Sequence, residues 1–251
     1  MINVLHIINS LDHGGAEMML LKILTNFNKK KFNNTVICLR HKGRMSVDFR
    51  NNNIEVIYIN SNNFFNLFKN INVIFDVVRN NKPQIIMSWL HISDFIGTLI
   101  KIRFPKIKLI WNLRCSALEI KIFGFRNWAL AKLLSYFSYI PDYIIANTKT
   151  GLEGHINLGY NPKRKKIIYN GFDLNKFQPR IKNRNLFRSK FHIKNSDFVI
   201  GFVGKKSKYK GLDLFINSIS IINKKFKNLK FVFVGKDLDK KNCDLNNKLN
   251  K

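Results

Sequence analysis

Cysteine, acidic residues and long apolar runs are all scarce in this chain. Three cysteines occur in 251 residues, at Cys38, Cys115 and Cys243. They are far apart and odd in number, which excludes a disulfide framework, and no pair has zinc-motif spacing. A reducing cytoplasm is the compartment this usage implies. Asp and Glu number 15 against 44 Lys and Arg, for a formal net charge of +29. Glutamate is confined to Glu17, Glu55, Glu119 and Glu153, with none after residue 153. A membrane-spanning helix needs about 20 mostly apolar residues. The 85–100 stretch is shorter and holds His91 and Asp94; 128–146 is broken by Lys132, Pro141 and Asp142. Residues 1–9 are apolar but lack a basic leader and a small-residue cleavage site. They read as a first strand, not an export signal.

What is present suffices for a core. A hydrophobic fraction of 45% with 22 Phe excludes a disordered basic tail. The positive charge suits an anionic membrane surface or nucleic acid. Yet the charges are spread along a chain rich in Lys, Asn, Ile and Phe, as biased base composition produces. No RNP aromatics, finger spacing or basic zipper is visible, which argues against nucleic acid.

Short apolar runs alternate with helical patterns. Strands are expected at 4–8, 35–39, 54–59, 85–88, 108–111, 143–146 and 166–169. Helices are expected after Gly14-Gly15, where Ala16, Leu20, Ile23, Leu24 and Phe27 share a face, and at 64–80, 93–103, 125–139 and 148–158. Pro83 cannot continue the second of these. Strand–helix alternation implies a doubly wound parallel α/β sheet of Rossmann-like type, with right-handed crossovers. Ligands then bind at the carboxyl ends of the strands, so the loops after Asn9, Ser88, Asn112 and Asn147 should line a cleft. Residues 175–195 are polar, with Pro179 and little periodicity. The pattern then restarts with a strand at 198–203, a basic loop, a helix at 212–226 and a strand at 230–234. The expected domains are 1–178, a linker at 179–195, and an incomplete second Rossmann-like domain at 196–251.

Four constellations could carry chemistry. Asp12-His13-Gly14-Gly15-Ala16-Glu17 joins the first strand to the first helix. Its glycines permit close backbone approach, and a helix start attracts phosphate. It matches neither the dinucleotide fingerprint nor a P-loop, and a plain tight turn explains it equally. Gly204 to Gly211 carries Lys205, Lys206, Lys208 and Lys210 after a strand, which suits a diphosphate but also a solvated loop. Ile168-Tyr-Asn-Gly-Phe-Asp-Leu-Asn-Lys-Phe-Gln-Pro179 reads as a turn or hinge. Finally, His91 and Asp94 follow the strand ending at Ser88, and Arg114, Cys115 and Ser116 follow the next. His91 could act on a hydroxyl, or serve only as a polar helix start. Arg114 could grip an anion bidentately, or lie on the surface. Cys115 has no evident base partner. Glu119, Glu153 and His155 read as helix or loop surface.

In order and spacing these segments resemble the family 4 retaining glycosyltransferases of the two-Rossmann GT-B type. Leu5-His-Ile-Ile-Asn-Ser-Leu-Asp-His-Gly-Gly-Ala-Glu17 resembles the opening strand and glycine loop, and Val36-Ile-Cys-Leu39 the second strand. Ser88-Trp-Leu-His-Ile-Ser-Asp-Phe-Ile-Gly97 and Ile110-Trp-Asn-Leu-Arg-Cys-Ser116 are similar to a branch from bacterial surface-polysaccharide clusters. Residues 168–179 resemble the interdomain segment, and 200–211 the donor loop. The resemblance spans Val4 to about Gly235. It implies sugar transfer from a nucleotide-sugar donor to a glycan or lipid-linked acceptor, with retention and neither metal nor cofactor. The N-terminal domain would take the acceptor and the C-terminal domain the donor. By the same resemblance His91 is the catalytic candidate, with Arg114 and Asp94 on the acceptor side. Gly14, Gly15, Lys205 and Lys210 would meet the donor diphosphate, with Lys205 where the family usually has arginine.

One family element has no counterpart. The Glu-x7-Glu pair that holds the donor cannot be formed, because no glutamate follows Glu153. The sequence therefore predicts a C-terminally truncated transferase that is inactive alone, cytoplasmic and peripheral at the inner membrane face. The alternatives are a non-catalytic acceptor or membrane-surface binding module and, on charge alone, a nucleic-acid-binding Rossmann protein.

Overall fold

The computed structural model describes residues 1–115, 124–204, 206, 210–235 and 238. Two compact units divide at Gly171/Phe172. The first is a seven-stranded parallel sheet: β1 (Ile2–Ile8), β2 (Phe32–Cys38), β3 (Glu55–Tyr58), β4 (Ile85–Trp89), β5 (Lys108–Leu113), β6 (Tyr143–Ala146) and β7 (Lys165–Ile167), in the spatial order β3-β2-β1-β4-β5-β6-β7. The chain steps outward from β1 to β3, then returns to place β4 on the other side of β1. That reversal is the switch point, where the strand ends diverge and leave a crevice.

Side chains alternate across each strand, and both faces find a helix layer. Leu5 and Ile7 of β1, with Ile37 and Leu39, enter one core cluster together with Ile86, Leu109 and Trp111. Ile8, Val36, Cys38 and Trp89 enter the other. Helix α1 (Gly15–Asn26) covers the second face through Ala16, Met19, Leu20 and Leu24. Helices α4 (Ile71–Asn81) and α5 (His91–Arg103) cover the first through Ile74, Val78, Ile96 and Ile100. Helices α6 (Phe125–Ser135) and α7 (Lys149–Asn157) complete the crossovers around β6. At Gly97 an added Cβ would lie 2.9 Å from Leu109 Cδ1 and 3.5 Å from Ser88 Cβ. Glycine therefore lets α5 sit directly on β4 and β5.

Most expected elements are present, with three differences. The 64–80 helix is two helices, α3 (Phe64–Lys69) and α4, broken at Asn70, whose Nδ2 donates to Ser61 Oγ at 3.1 Å. A short α2 (Ser46–Asn51) packs Phe49 into the core. The segment expected to be a linker contains α8 (Ile181–Lys190), a helix that buries none of its residues.

The second unit pairs β8 (Phe198–Val203) with β9 (Leu229–Val234) in parallel, joined through α9 (Leu212–Lys225). Its described core is Leu212, Ile216 and Leu238, with Phe202 and Phe233 packed against it. Beyond β9, Gly235 has φ 154°, and a Cβ there would fall 1.8 Å from the Gly204 carbonyl oxygen. Only glycine fits that approach.

Candidate active site

The best-developed polar cluster lies at the carboxyl edge of the first unit, beside the switch point. β4 ends at Trp89, and α5 starts two residues later at His91. The joint is Leu90, at φ 72° and ψ 161°. That region is essentially restricted to glycine, and a leucine there stores about 1–3 kcal/mol of strain. The strained joint turns α5 sharply enough to aim His91 and Asp94 inward.

Asp94 is fully buried. Ser88 Oγ lies 2.6 Å from its Oδ1 and 3.3 Å from the Ile110 carbonyl oxygen, while Oδ2 has no described partner. Burial raises the Asp94 carboxyl well above the usual range, and the Ser88 contact only partly opposes this. A protonated Asp94 accounts for the geometry. It donates to Ser88 Oγ, and the serine hydroxyl is then free to donate to the Ile110 carbonyl.

His91 is buried, and its Nε2 lies 3.1 Å from His155 Nε2, with the rings stacked at 5.3 Å. His155 Nδ1 donates to the Gly151 carbonyl at 2.7 Å, because a carbonyl can only accept. A neutral His155 therefore presents a lone pair at Nε2, and the His91 Nε2–H must donate to it. Both rings are neutral, since burial lowers His91 to about 3, helped by His155, and burial lowers His155 as well. This corrects the reading of His155 as surface: it is fully buried, edge-on to Tyr160 at 4.9 Å. Glu153 is exposed as expected and pairs with Lys149 at 3.8 Å.

A second chain of contacts runs across the same edge. His6 is buried in β1 and held neutral, lowered to about 4 by burial. Trp89 Nε1–H donates to His6 Nδ1 at 3.4 Å, so His6 Nε2–H donates to Asn34 Oδ1 at 3.1 Å. The Trp89 ring then carries the Arg114 guanidinium 4.6 Å from its centroid, and Arg114 Nη1 donates to Asn170 Oδ1. Arg114 is thus not a free surface arginine. It is clamped between an aromatic face and an amide, and burial lowers it to about 10. Its Nε–H is buried without a described partner, a donor that an anion or sugar hydroxyl could take. Trp89 and Asn170 drew no attention as site residues, because their hydrogen bonds join positions 83 and 56 residues apart.

The glycine loop behaves differently from expectation. Gly14 caps α1 with no side-chain hydrogen bond, and the space beside Gly15 is open. A Cβ on Gly14, however, would fall 2.3 Å from Glu17 Oε2, and Glu17 is buried. A carboxylate already sits over the positive end of α1, so a phosphate there must first displace it. In the second unit Lys210 is exposed and precedes Gly211, whose φ of 70° opens α9. Lys205, Glu119 and Ser116 lie outside the described residues. No helix among the described residues is long and apolar enough to cross a membrane.

Comparison with known proteins agrees with this fold. The model of Glycosyltransferase Family 4 matches residues 13–176. A Staphylococcus aureus capsular polysaccharide biosynthesis glycosyltransferase, CapM, is 30% identical over 161 residues, covering 61% of this chain and 41% of that protein. CapH of the same organism is 26% identical over 244 residues, covering 94% of this chain and 62% of that protein. The chain thus spans less than two thirds of these relatives. Among solved structures, Anabaena HepE in complex with UDP and glucose superposes with a TM-score of 0.79 at 20% identity, over 100% of this chain and 65% of that one. At that identity the likeness is one of fold.

Proposed function

The chain belongs to glycosyltransferase family 4, and from that premise we propose that residues 1–171 form the acceptor half of an enzyme moving a sugar from a nucleotide-activated donor to a glycan or lipid-linked acceptor. The observation that carries this reading is the polar cluster at the switch point, built from His91, Asp94, Arg114 and Asn170 where the fold places its ligands. The UDP and glucose named for the HepE structure, and the capsule biosynthesis of the Staphylococcus relatives, support a nucleotide sugar and a polysaccharide-type acceptor.

In this reading the neutral His91 imidazole meets an acceptor hydroxyl, with His155 fixing its tautomer. Arg114 orients the acceptor, and protonated Asp94 holds α5 in register through Ser88. Lys205 and Lys210 neutralise the donor diphosphate as it departs. Gly14 and Gly15 are the donor-phosphate candidates of the first unit, open to an anion once Glu17 moves aside. Transfer proceeds with retention and without a bound metal, and the basic surface holds the protein at the inner face of an anionic membrane. Because no Glu-x7-Glu element is present, the 251 residues alone transfer no sugar.

The test is UDP release from UDP-glucose and UDP-N-acetylglucosamine. Two proteins are compared: the chain as it stands, and a chimera joining residues 1–171 to the C-terminal portion of CapH. The chain alone should match its Lys210→Ala control. The chimera should turn over, and His91→Ala should lower its rate at least about 100-fold, the scale of a lost general base. Turnover by the chain alone above that control, or a chimera indifferent to His91→Ala, contradicts the reading.

A further inference from the structure

The two stacked histidines have a third neighbour. Cys115 lies just past the end of β5, and its Sγ and one imidazole nitrogen each of His91 and His155 all lie within 4.8 Å of one another. The three residues come from three elements: the first residue of α5, the segment after β5, and α7. We propose that His91, Cys115 and His155 form a binding site for one thiophilic divalent cation of the zinc class, which staples these elements together at the carboxyl edge of the sheet.

Three observations converge. The first is distance. Two nitrogens bound tetrahedrally at about 2.05 Å from zinc stand about 3.3 Å apart, and the two Nε2 atoms are 3.1 Å apart. A nitrogen and a thiolate sulfur on such an ion stand about 3.6 Å apart, so Cys115 needs to close by about 1.2 Å at most. The second is the donor set: two imidazoles and one thiolate suit zinc better than magnesium or calcium, which prefer oxygen. The third is orientation. His155 donates its other ring N–H to the Gly151 carbonyl, the second-layer contact that holds a ligating histidine with its lone pair outward.

The balance of the step is simple. The hydrogen bond between the two Nε2 atoms breaks, metal–nitrogen bonds form there, a metal–sulfur bond forms at Cys115, and the ion keeps one of its waters as the fourth ligand while the others are released. The His91 proton moves from Nε2 to Nδ1, and the Cys115 thiol proton leaves to solvent. Nothing is oxidised or reduced. The sequence offers no zinc-motif spacing because the ligands, at positions 91, 115 and 155, are gathered only by the fold.

Metal at His91 Nε2 leaves the other ring nitrogen protonated, so the metal-bound chain is a state in which His91 cannot take a proton from an acceptor hydroxyl; the test reads the metal directly and not sugar transfer. Cobalt(II) is titrated into the full chain under reducing conditions. The expected result is one equivalent bound, with a near-ultraviolet sulfur-to-cobalt band and strong visible bands of four-coordinate cobalt, all removed by zinc(II). Cys115→Ser should abolish the sulfur band and weaken binding at least tenfold. His155→Asn should weaken it similarly, while mutation of the exposed His13, His41 and His192 to alanine leaves it unchanged. Zinc should also raise the unfolding temperature of the wild type but not of Cys115→Ser. A wild-type spectrum without a sulfur band, or Cys115→Ser binding cobalt as tightly as wild type, overturns the proposal. Should His155→Asn fail to fold, the Cys115→Ser spectrum decides alone.

Discussion

The two units are written in the same strand–helix alphabet, yet they differ in what their strands can bury. In residues 1–171 the inner strands have neighbours on both sides and helices on both faces, and Trp89 and Trp111 are fully buried. In residues 172–251 the described strands β8 and β9 pair only with each other, and Phe198, Val203 and Val234 stay exposed. Alternating apolar residues suffice to make a strand. A stable sheet needs more strands, because burial of roughly 25 cal/mol per Å² accrues only where both faces are covered. The polar cluster around His91 sits in the region that meets this condition.

Substitutions in the two cores break the comparison most forcefully. Trp111→Ala, which empties a fully buried position, should destabilise the first unit by about 3–5 kcal/mol in urea titrations followed by circular dichroism. Leu212→Ala, in the small core of the second unit, should leave that main transition unmoved. A comparable drop from Leu212→Ala would show that the units share one cooperative core.

Acid titration gives the next largest effect. His6 and His91 are lowered to about 4 and about 3 by burial, and His155 is lowered too. Unfolded, each binds a proton near pH 6.5; folded, His6 and His91 stay neutral well below that, and His155 is shifted in the same direction. Their contribution is therefore fully present above pH 6.5 and is lost as pH falls toward the folded values. The loss should be on the order of a few kcal/mol between pH 6.5 and 4. A first unit whose stability is flat over that range contradicts the buried neutral assignment.

Asp94 runs the other way. Its folded carboxyl titrates above the unfolded one, so the stability it contributes is present below the unfolded value, near pH 3.8, and is lost as pH rises through the folded value. Asp94→Asn, which mimics the protonated acid, should be at least as stable as wild type at pH 8, by on the order of 1 kcal/mol. A variant clearly weaker than wild type at pH 8 means that the carboxylate is ionised and paired. The smallest effect belongs to the surface: Glu153→Gln, which removes the exposed contact with Lys149, should change stability by less than about 0.5 kcal/mol.

The parallel sheet was legible because its strands are continuous apolar runs, and β6 and β8 begin and end where their patterns do. What escaped the sequence depends on contacts distant along the chain. Asn70 ends α3 by reaching Ser61, a contact no helical period records. α8 has no buried residue and so leaves no apolar stripe to read. His91 and Asp94 were visible from their place after a strand. The partner of His91, His155, lies 64 residues away, on a helix whose spacing alone suggests a polar face. The strain at Leu90 is likewise invisible, since nothing in a leucine announces a backbone that glycine would favour.

The region bearing the His91 cluster is a folding unit with its own two-faced core, whereas among the described residues β8 and β9 pair only with each other. Native-state hydrogen exchange, resolved along the chain, tests it most directly. The account predicts that amides of β1, β4 and β5 exchange only through global unfolding, and that those of β8 and β9 exchange orders of magnitude faster through local opening. Equal protection in both sheets would contradict it.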